Sequence, residues 1–372
     1  MPMKLLKDSN INLEKWNKFV AQWPDFELMQ SYEWGTFKKA LGWKVIRLAI
    51  DQDGRLVAGV QMLLKPLFKG LLSIAYVPRG PLLSWDDGTA TNTLLSAMHA
   101  SARQHRAISL KIEPAIRYPT AVQQQLQDCG FQPSKFTNQP QCSMLIDLSP
   151  DPGTILAKMD KTTRYNIRYS ARKGVTVREA TINDLDDFHR MLEFTAKRAR
   201  FPVRPRAYYR SEWETFHSQG QLKLLLAFYD GELLAARMPA IFGNKAATFH
   251  SASYDTQRNL KPNELLMWES IEWAKSNGCT TYDVWGIPNE IGEHHYKNKP
   301  LPKEQTGGLW GVYRFKRGFG GDLVYYIGAY DYIYSPSLYR LMNATISRLG
   351  SLDRFARLGD FLDLSADQPV GT

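Results

Sequence analysis

The chain has 372 residues, material for about two domains at roughly 100–200 residues each. At 44% apolar and 23% charged it reads as a globular protein, and three scattered cysteines, Cys129, Cys142 and Cys279, exclude a disulfide framework or a cysteine zinc site. No uninterrupted apolar run reaches the roughly 18 residues of a membrane span, and MPMKLLKDSN lacks the core of a signal peptide, so a cytosolic protein is expected.

In chain order, VIRLAI predicts a strand, Asp53-Gly54 a tight hairpin turn, LLSIAYVPRGPLL a strand, TNTLLSAMHASARQH a helix and AISLKIEP a further strand. LSPDPG, residues 148–153, reads as a linker. AKMDKTTRYNIRYSARK, 157–173, predicts one basic helix closed by Gly174, and RARFPVRPRAYYR, 198–210, a stiff basic loop. The pattern then returns as strand LKLLLAFY, turn Asp230-Gly231, strand AATFHSASY, helix NELLMWESIEWAKSNG and strand TTYDVWGIP. EIGEHHYKNKP reads as a loop whose His294-His295 pair lacks metal-ligand spacing, and SPSLYRLMNATISRLG as a closing helix.

The two Asp-Gly hairpins lie 177 residues apart, which indicates duplicated domains rather than a solenoid. The expected units are 1–148 and 149–329, with 330–372 packing back on the first. Helix, hairpin, strand, helix, strand is the order of the GNAT acyltransferase fold, so the expectation is an α/β protein of two tandem GNAT-like domains without a helical coiled-coil arm. GNAT enzymes grip coenzyme A pyrophosphate through main-chain N–H groups in a glycine-rich loop at a helix start. Here the second domain offers Arg258-Asn259-Leu260-Lys261-Pro262-Asn263, and the first offers WDDGTATN, whose aspartates repel a pyrophosphate. The fold suggests acyl transfer, with a donor other than coenzyme A.

Charge is concentrated as well as positive. The net formal charge is +10, and Lys158–Arg210 holds 14 Lys/Arg against 6 Asp/Glu. Lys161, Arg164, Arg168 and Arg172 recur at spacings of three and four on one helical face, with Tyr165 and Tyr169 interleaved. Such a face is either simply solvated or binds phosphate; the near absence of acidic partners favours phosphate, on a nucleic acid, a nucleotide or a membrane.

Taken together, QSYEWGTFKKALGW (30–43), YVPRGPLL (76–83), LKIEP (110–114), KTTRYNIRYSARKGV (161–175), SASYDTQRNLKPNELLMWESIEWAKSNG (251–278), YDVWGIP (282–288) and GVYRFKRGFGG (311–321) resemble the Fem family (FemX, FemA, FemB). These are non-ribosomal peptidyltransferases that move an amino acid from aminoacyl-tRNA to the side-chain amine of the peptidoglycan precursor stem peptide. Lacking a long helical pair, the chain is similar to the compact FemX type. The resemblance implies partners of two kinds, aminoacyl-tRNA and UDP-MurNAc-pentapeptide or lipid II. It implies no cofactor, no metal and no DNA, a monomer, and at most peripheral contact with the inner face of the membrane.

It also implies site residues. Lys38, with Lys39 as fallback, falls where the family places a lysine on precursor phosphates, and Arg79 lies in the YVPRGPLL match. Arg204, with Arg206 as an equal candidate, lies near a second phosphate-binding arginine before Tyr208. Phe315-Lys316 matches a Phe-Lys pair tied to the aminoacyl end, Glu113 a precursor-side acid, and Tyr254 a motif residue after the central strand. The family's Gly-Glu pair reads Gly328-Ala329, with Asp331 nearby. Attack of an amine on an ester needs orientation, a proton acceptor and an oxyanion stabiliser. Lys316 is expected as the stabiliser and Glu113 as the residue that positions or deprotonates the amine. The competing readings are a GNAT-type N-acyltransferase using acyl-CoA and a non-catalytic tRNA-binding protein.

Overall fold

The computed structural model describes residues 3–25, 27–199, 201–305 and 307–348. They fall into two compact units, one running to Gln139 and resuming at Tyr326, the other spanning Pro140–Tyr325. The first contains β1 (Lys4–Lys7), α1 (Leu13–Ala21), α2 (Tyr32–Ala40), β2 (Lys44–Gln52), β3 (Arg55–Leu67), β4 (Leu72–Pro78), α3 (Gly88–Gln104), β5 (Ala107–Glu113), α4 (Val122–Asp128) and β6 (Gln132–Pro133). The second contains β7 (Cys142–Asp147), α5 (Pro152–Lys158), α6 (Lys161–Arg172), β8 (Thr176–Glu179), α7 (Leu185–Ala199), α8 (Arg206–Phe216), β9 (Leu225–Tyr229), β10 (Glu232–Phe242), β11 (Lys245–Ser253), α9 (Pro262–Ser276), β12 (Thr281–Asp283), α10 (Asn289–Tyr296), α11 (Gly308–Arg317) and β13 (Asp322–Tyr325). The chain then re-enters the first unit as β14 (Tyr330–Ile333) and α12 (Pro336–Arg348).

Each unit is built on one sheet, ordered β1-β2-β3-β4-β5-β14-β6 in the first and β13-β7-β12-β11-β10-β9-β8 in the second. The duplication is visible in the connections. Both Asp-Gly hairpins turn with positive φ at two residues, Asp53 (54°) and Gly54 (82°), Asp230 (47°) and Gly231 (79°), the backbone that a two-residue hairpin needs to match strand twist. A third antiparallel strand follows in each unit. A helix then crosses over to a parallel strand, α3 between β4 and β5, α9 between β11 and β12. Gly278 (φ 79°) stops α9 in a Schellman motif, Cys279 N–H donating to Ala274 O and Gly278 N–H to Lys275 O.

Burial explains why these helices lie where they do. α3 sets Leu94, Leu95, Met98 and Ala102 on β2, β3 and β5, and α9 sets Leu266, Met267, Ile271 and Ala274 on its own sheet. All seven residues of β5 are buried, as expected of a strand covered on both faces. Truncating Leu94 or Leu266 to Ala would cost about 2–5 kcal/mol. The longest described helix, α3, has 17 residues, so the described residues contain no helical arm.

Four expectations change. Strand β7 pairs with β12 and β13, so the second unit begins at Pro140 rather than after residue 148; long-range pairing, not the linker composition, draws that edge. The basic helix 157–173 is two helices, because Met159 turns extended (ψ 158°) to bury its side chain in the core and Asp160 donates its N–H to Gly318 O. Residues 289–296 form helix α10, which packs buried Ile291 into the core, and the expected loop at 198–210 is confined to the stretch between α7 and α8. β14 pairs with β5 from Tyr330↔Ile112 to Ile333↔Ser109; the part of the expected tail from 349 to 372 lies outside the described residues.

Candidate functional site

The second unit concentrates charge inside its core. Lys316, on the last turn of α11, is buried, and its Nζ donates to the main-chain carbonyls of Trp285 (3.1 Å) and Gly286 (2.9 Å). Those carbonyls belong to the turn after β12, where Trp285 holds a left-handed φ of 64°. Asp283 fixes that turn: it accepts the Trp285 N–H at 2.7 Å and the Ser143 hydroxyl. Arg237, in the middle of β10, is also buried, with its guanidinium 5.6 Å from the Phe315 ring centre and Nη1 donating to Thr248 Oγ1 at 3.3 Å. Burial, then the positive charge of Arg237, bring the Lys316 ammonium down to about 7, while Asp283 acts in the opposite sense. Lys316 therefore exchanges its proton near neutrality, and the preceding Phe315 is half-buried with its ring centre 5.1 Å from that of Phe319.

In the first unit, Glu113 ends β5 beside Pro78 of parallel β4, at the carboxyl edge where open α/β sheets place ligands. Its carboxylate accepts the Tyr76 hydroxyl (2.5 Å) and the N–H groups of Asn138 (2.5 Å) and Gln139 (3.2 Å). Burial raises its pKa, against the pull of Lys111, the Tyr76 hydroxyl, the Asn138 N–H and Arg79. Arg79, buried at φ 51°, stacks its guanidinium 4.7 Å from the Tyr326 ring centre. Lys38 is buried over Trp34 (4.8 Å) and Phe37 (5.1 Å), whereas Lys39 points to solvent. Asp331 pairs with Lys111 at 3.0 Å and accepts the Tyr339 hydroxyl at 2.7 Å, a fastening of the returning segment onto β5.

The two arginine candidates on either side of Pro205 separate sharply. Arg204 is buried, 5.2 Å from the Tyr208 ring centre, and its carbonyl meets His189 Nε2 at 3.0 Å. Arg206 is exposed and paired with Asp186 at 3.1 Å. Tyr208 is buried in the wall beside Arg204; Tyr254 packs edge-on against Phe194 at 5.3 Å and lines a different cleft with Arg178, Phe228 and Asp255.

On α6, Lys161, Arg168 and Arg172 are exposed, but Arg164 is half-buried and donates to the carbonyls of Ala157 (2.9 Å) and Met159, closing the end of α5. Tyr165 and Tyr169 stack at 5.7 Å and 23°, flanked by Arg172 and Lys173.

Neither helix start that would face a pyrophosphate carries the glycine-rich turn of such a site. Asp87 caps α3, accepting the N–H groups of Thr89 (3.1 Å) and Ala90 (3.0 Å). Before α9, Lys261 keeps a left-handed φ of 60° without being glycine, and Pro262 has no N–H to give. Among the described residues no group of His, Cys, Asp and Glu could hold a metal; His294 Nδ1 instead meets Pro300 O at 2.6 Å. The three cysteines are free, and burial pushes the Cys142 thiol up to about 12.

Sequence reasoning passed over Arg237 and Asp283. A signal existed for each: an arginine inside the apolar strand ELLAARMPAIF is costly unless it has a task, and Asp283 closes a strand within YDVWGIP.

Two sheets of this connection define a tandem GNAT-like protein. The chain belongs to the FemAB family, which it matches over residues 11–232 and 229–346. Among relatives, the lipid II:glycine glycyltransferase of Staphylococcus aureus is 22% identical, with 92% of this chain and 97% of that protein aligned. The crystal structure of FemX superposes with a TM-score of 0.79 at 22% identity, over 92% of this chain and all (100%) of that one. A tandem GNAT protein from the clavulanic acid biosynthesis pathway follows the same fold at TM-score 0.54 and 11% identity, over 89% and 98% of the two chains.

Proposed function

We propose that the chain is a non-ribosomal peptidyltransferase that moves an amino acid from aminoacyl-tRNA onto the side-chain amine of the peptidoglycan precursor stem peptide, building the interpeptide bridge at the cytoplasmic side. Membership of the FemAB family and the likeness to a lipid II:glycine glycyltransferase support this reading. The observation that carries it is the buried Lys316, held by the Trp285 and Gly286 carbonyls next to Arg237 and Asp283.

In this account the amine nitrogen attacks the ester carbonyl, the C–N bond forms, and the C–O bond to the tRNA ribose breaks. The amine proton finishes on the departing ribose hydroxyl. Protonated Lys316 faces the oxyanion of the tetrahedral intermediate, where a fixed cation in a dry site acts strongly. Lys38, Arg79 and Arg204 take the precursor phosphates; each is buried and pre-set, so little side-chain freedom is lost on binding. Glu113, engaged by three donors, positions the acceptor rather than shuttling its proton. The exposed cations of α6 meet tRNA phosphates, and the Phe315 ring backs the aminoacyl end. The test is to incubate the protein with charged total tRNA and, separately, UDP-MurNAc-pentapeptide or lipid II, and to weigh the acceptor. Gain of an aminoacyl residue supports the reading and names the amino acid and acceptor; an unchanged acceptor with both, alongside transfer from acetyl-CoA, rejects it.

A further inference from the structure

Phe68, Leu71 and Leu341 are the three most exposed large apolar side chains among the described residues, at 62%, 64% and 65%. All three belong to the first unit and flank one small cluster. The loop between β3 and β4 anchors Leu67 and Leu72 in it, and α12 contributes Leu338, Tyr339 and Met342. Leu341 lies one turn along the helix from Leu338, on the open side. The loop is not slack. Phe68, Lys69 and Gly70 take left-handed φ values of 48°, 57° and 89° in succession, a conformation that only the glycine adopts without strain. Strained backbone thus presents an aromatic ring and a leucine to solvent.

The surroundings carry one sign. Lys65 lies near the end of β3 and Lys69 in the loop, and a cleft of about 360 Å³ beside it is walled by Lys44, Gly70, His105 and Arg106. No acidic residue occurs between Leu56 and Trp85, between Gln104 and Ile112, or between Tyr332 and Arg348. Apolar tips set among lysines and arginines, on three segments without Asp or Glu, match a surface that is apolar within and anionic outside. That is the profile of a lipid bilayer rich in acidic headgroups. A protein partner would instead call for polar complementarity around an apolar centre.

We infer that the β3–β4 loop and the outward face of α12 form a docking surface for an anionic bilayer. Phe68, Leu71 and Leu341 enter the interface, and Lys44, Lys69 and Arg106 meet lipid phosphates. No residue of this surface belongs to the centres assigned to transfer, so the inference stands apart from the proposed chemistry.

Co-sedimentation of the full chain with phosphatidylcholine vesicles, with and without phosphatidylglycerol, tests it. Binding is expected only with phosphatidylglycerol and weakens as salt rises. Phe68→Ser with Leu71→Ser should lower the partition coefficient about tenfold or more, and Lys69→Gln and Arg106→Gln about fivefold each at low salt. Because these side chains are exposed, thermal midpoint and transfer to a water-soluble acceptor should not change. Equal partitioning of wild type and the Phe68/Leu71 variant would overturn the inference. So would no binding to either vesicle, or concentration-dependent self-association that the same variant abolishes, which would assign the surface to a second copy of the chain.

Discussion

Asp283 accepts the main-chain N–H of Trp285 at 2.7 Å, and the carbonyl of that same Trp285 accepts Lys316 at 3.1 Å. One carboxylate thus shapes the turn that holds the buried lysine and supplies the charge that favours its protonated form. Removing the charge should act on both. In Asp283→Asn, Lys316 loses its proton at lower pH, so the alkaline limb of the transfer rate moves down from about 7. The variant should be most impaired above neutrality and partly recover on acidification. A pH profile parallel to wild type would remove Asp283 from this role.

Arg237 should give the opposite shift. Its positive charge presses the Lys316 pKa down, so Arg237→Met, which keeps volume, should move the alkaline limb up. The rate of a single turnover with pre-bound substrates, measured against pH, separates this from weaker binding. A limb that stays put would mean that burial alone sets Lys316.

The same shift makes stability depend on pH. The folded state releases the Lys316 proton at about 7, the unfolded chain at its ordinary 10.5. Between those values the unfolded state binds more protons, so this lysine's cost to stability is full below about 7 and fades as pH rises toward 10.5. Lys316→Met should remove that dependence, so denaturant titrations at pH 6 and 9 should show the variant gaining more over wild type at the lower pH. An equal difference at both would contradict the shifted pKa.

Precursor binding should discriminate the arginines that the sequence left equal. Lys38→Ala and Arg204→Ala each remove a buried cation and should weaken the UDP-linked precursor by about 10–100-fold, in line with the roughly 1.5–3 kcal/mol of a hydrogen bond to a charged group. Arg206→Ala removes an exposed side chain already paired with Asp186 and should change little. Calorimetry at two salt concentrations reads this, and equal losses for Arg204 and Arg206 would refute the assignment.

On α6 the split is between binding and folding. Arg168→Ala and Arg172→Ala should each lower the salt slope of tRNA binding by about one without shifting the thermal midpoint. Arg164→Ala should lower the midpoint, because it strips donors from the Ala157 and Met159 carbonyls.

What the sequence made legible was local or repeated. Asp53-Gly54 and Asp230-Gly231 announce hairpins because a tight turn needs positive φ wherever it occurs. Gly278 marks the end of α9 for a similar reason. What it hid depends on distant partners. Met159 breaks a periodic basic helix only because a core waits beneath it, and β7 joins the second unit only because β12 and β13 flank it. Phe315-Lys316 could be picked out by resemblance, but Arg237 is brought to Lys316 by β10 from about eighty residues earlier in the chain, and no spacing rule connects them.

The measurement that bears most directly on the proposed chemistry is single-turnover transfer from charged tRNA to the precursor by Lys316→Met, with precursor affinity measured on the same preparation. Loss of an oxyanion stabiliser predicts a rate lower by about 100–1,000-fold or more with affinity nearly unchanged. Transfer at the wild-type rate would contradict it and return Lys316 to the core as a structural residue.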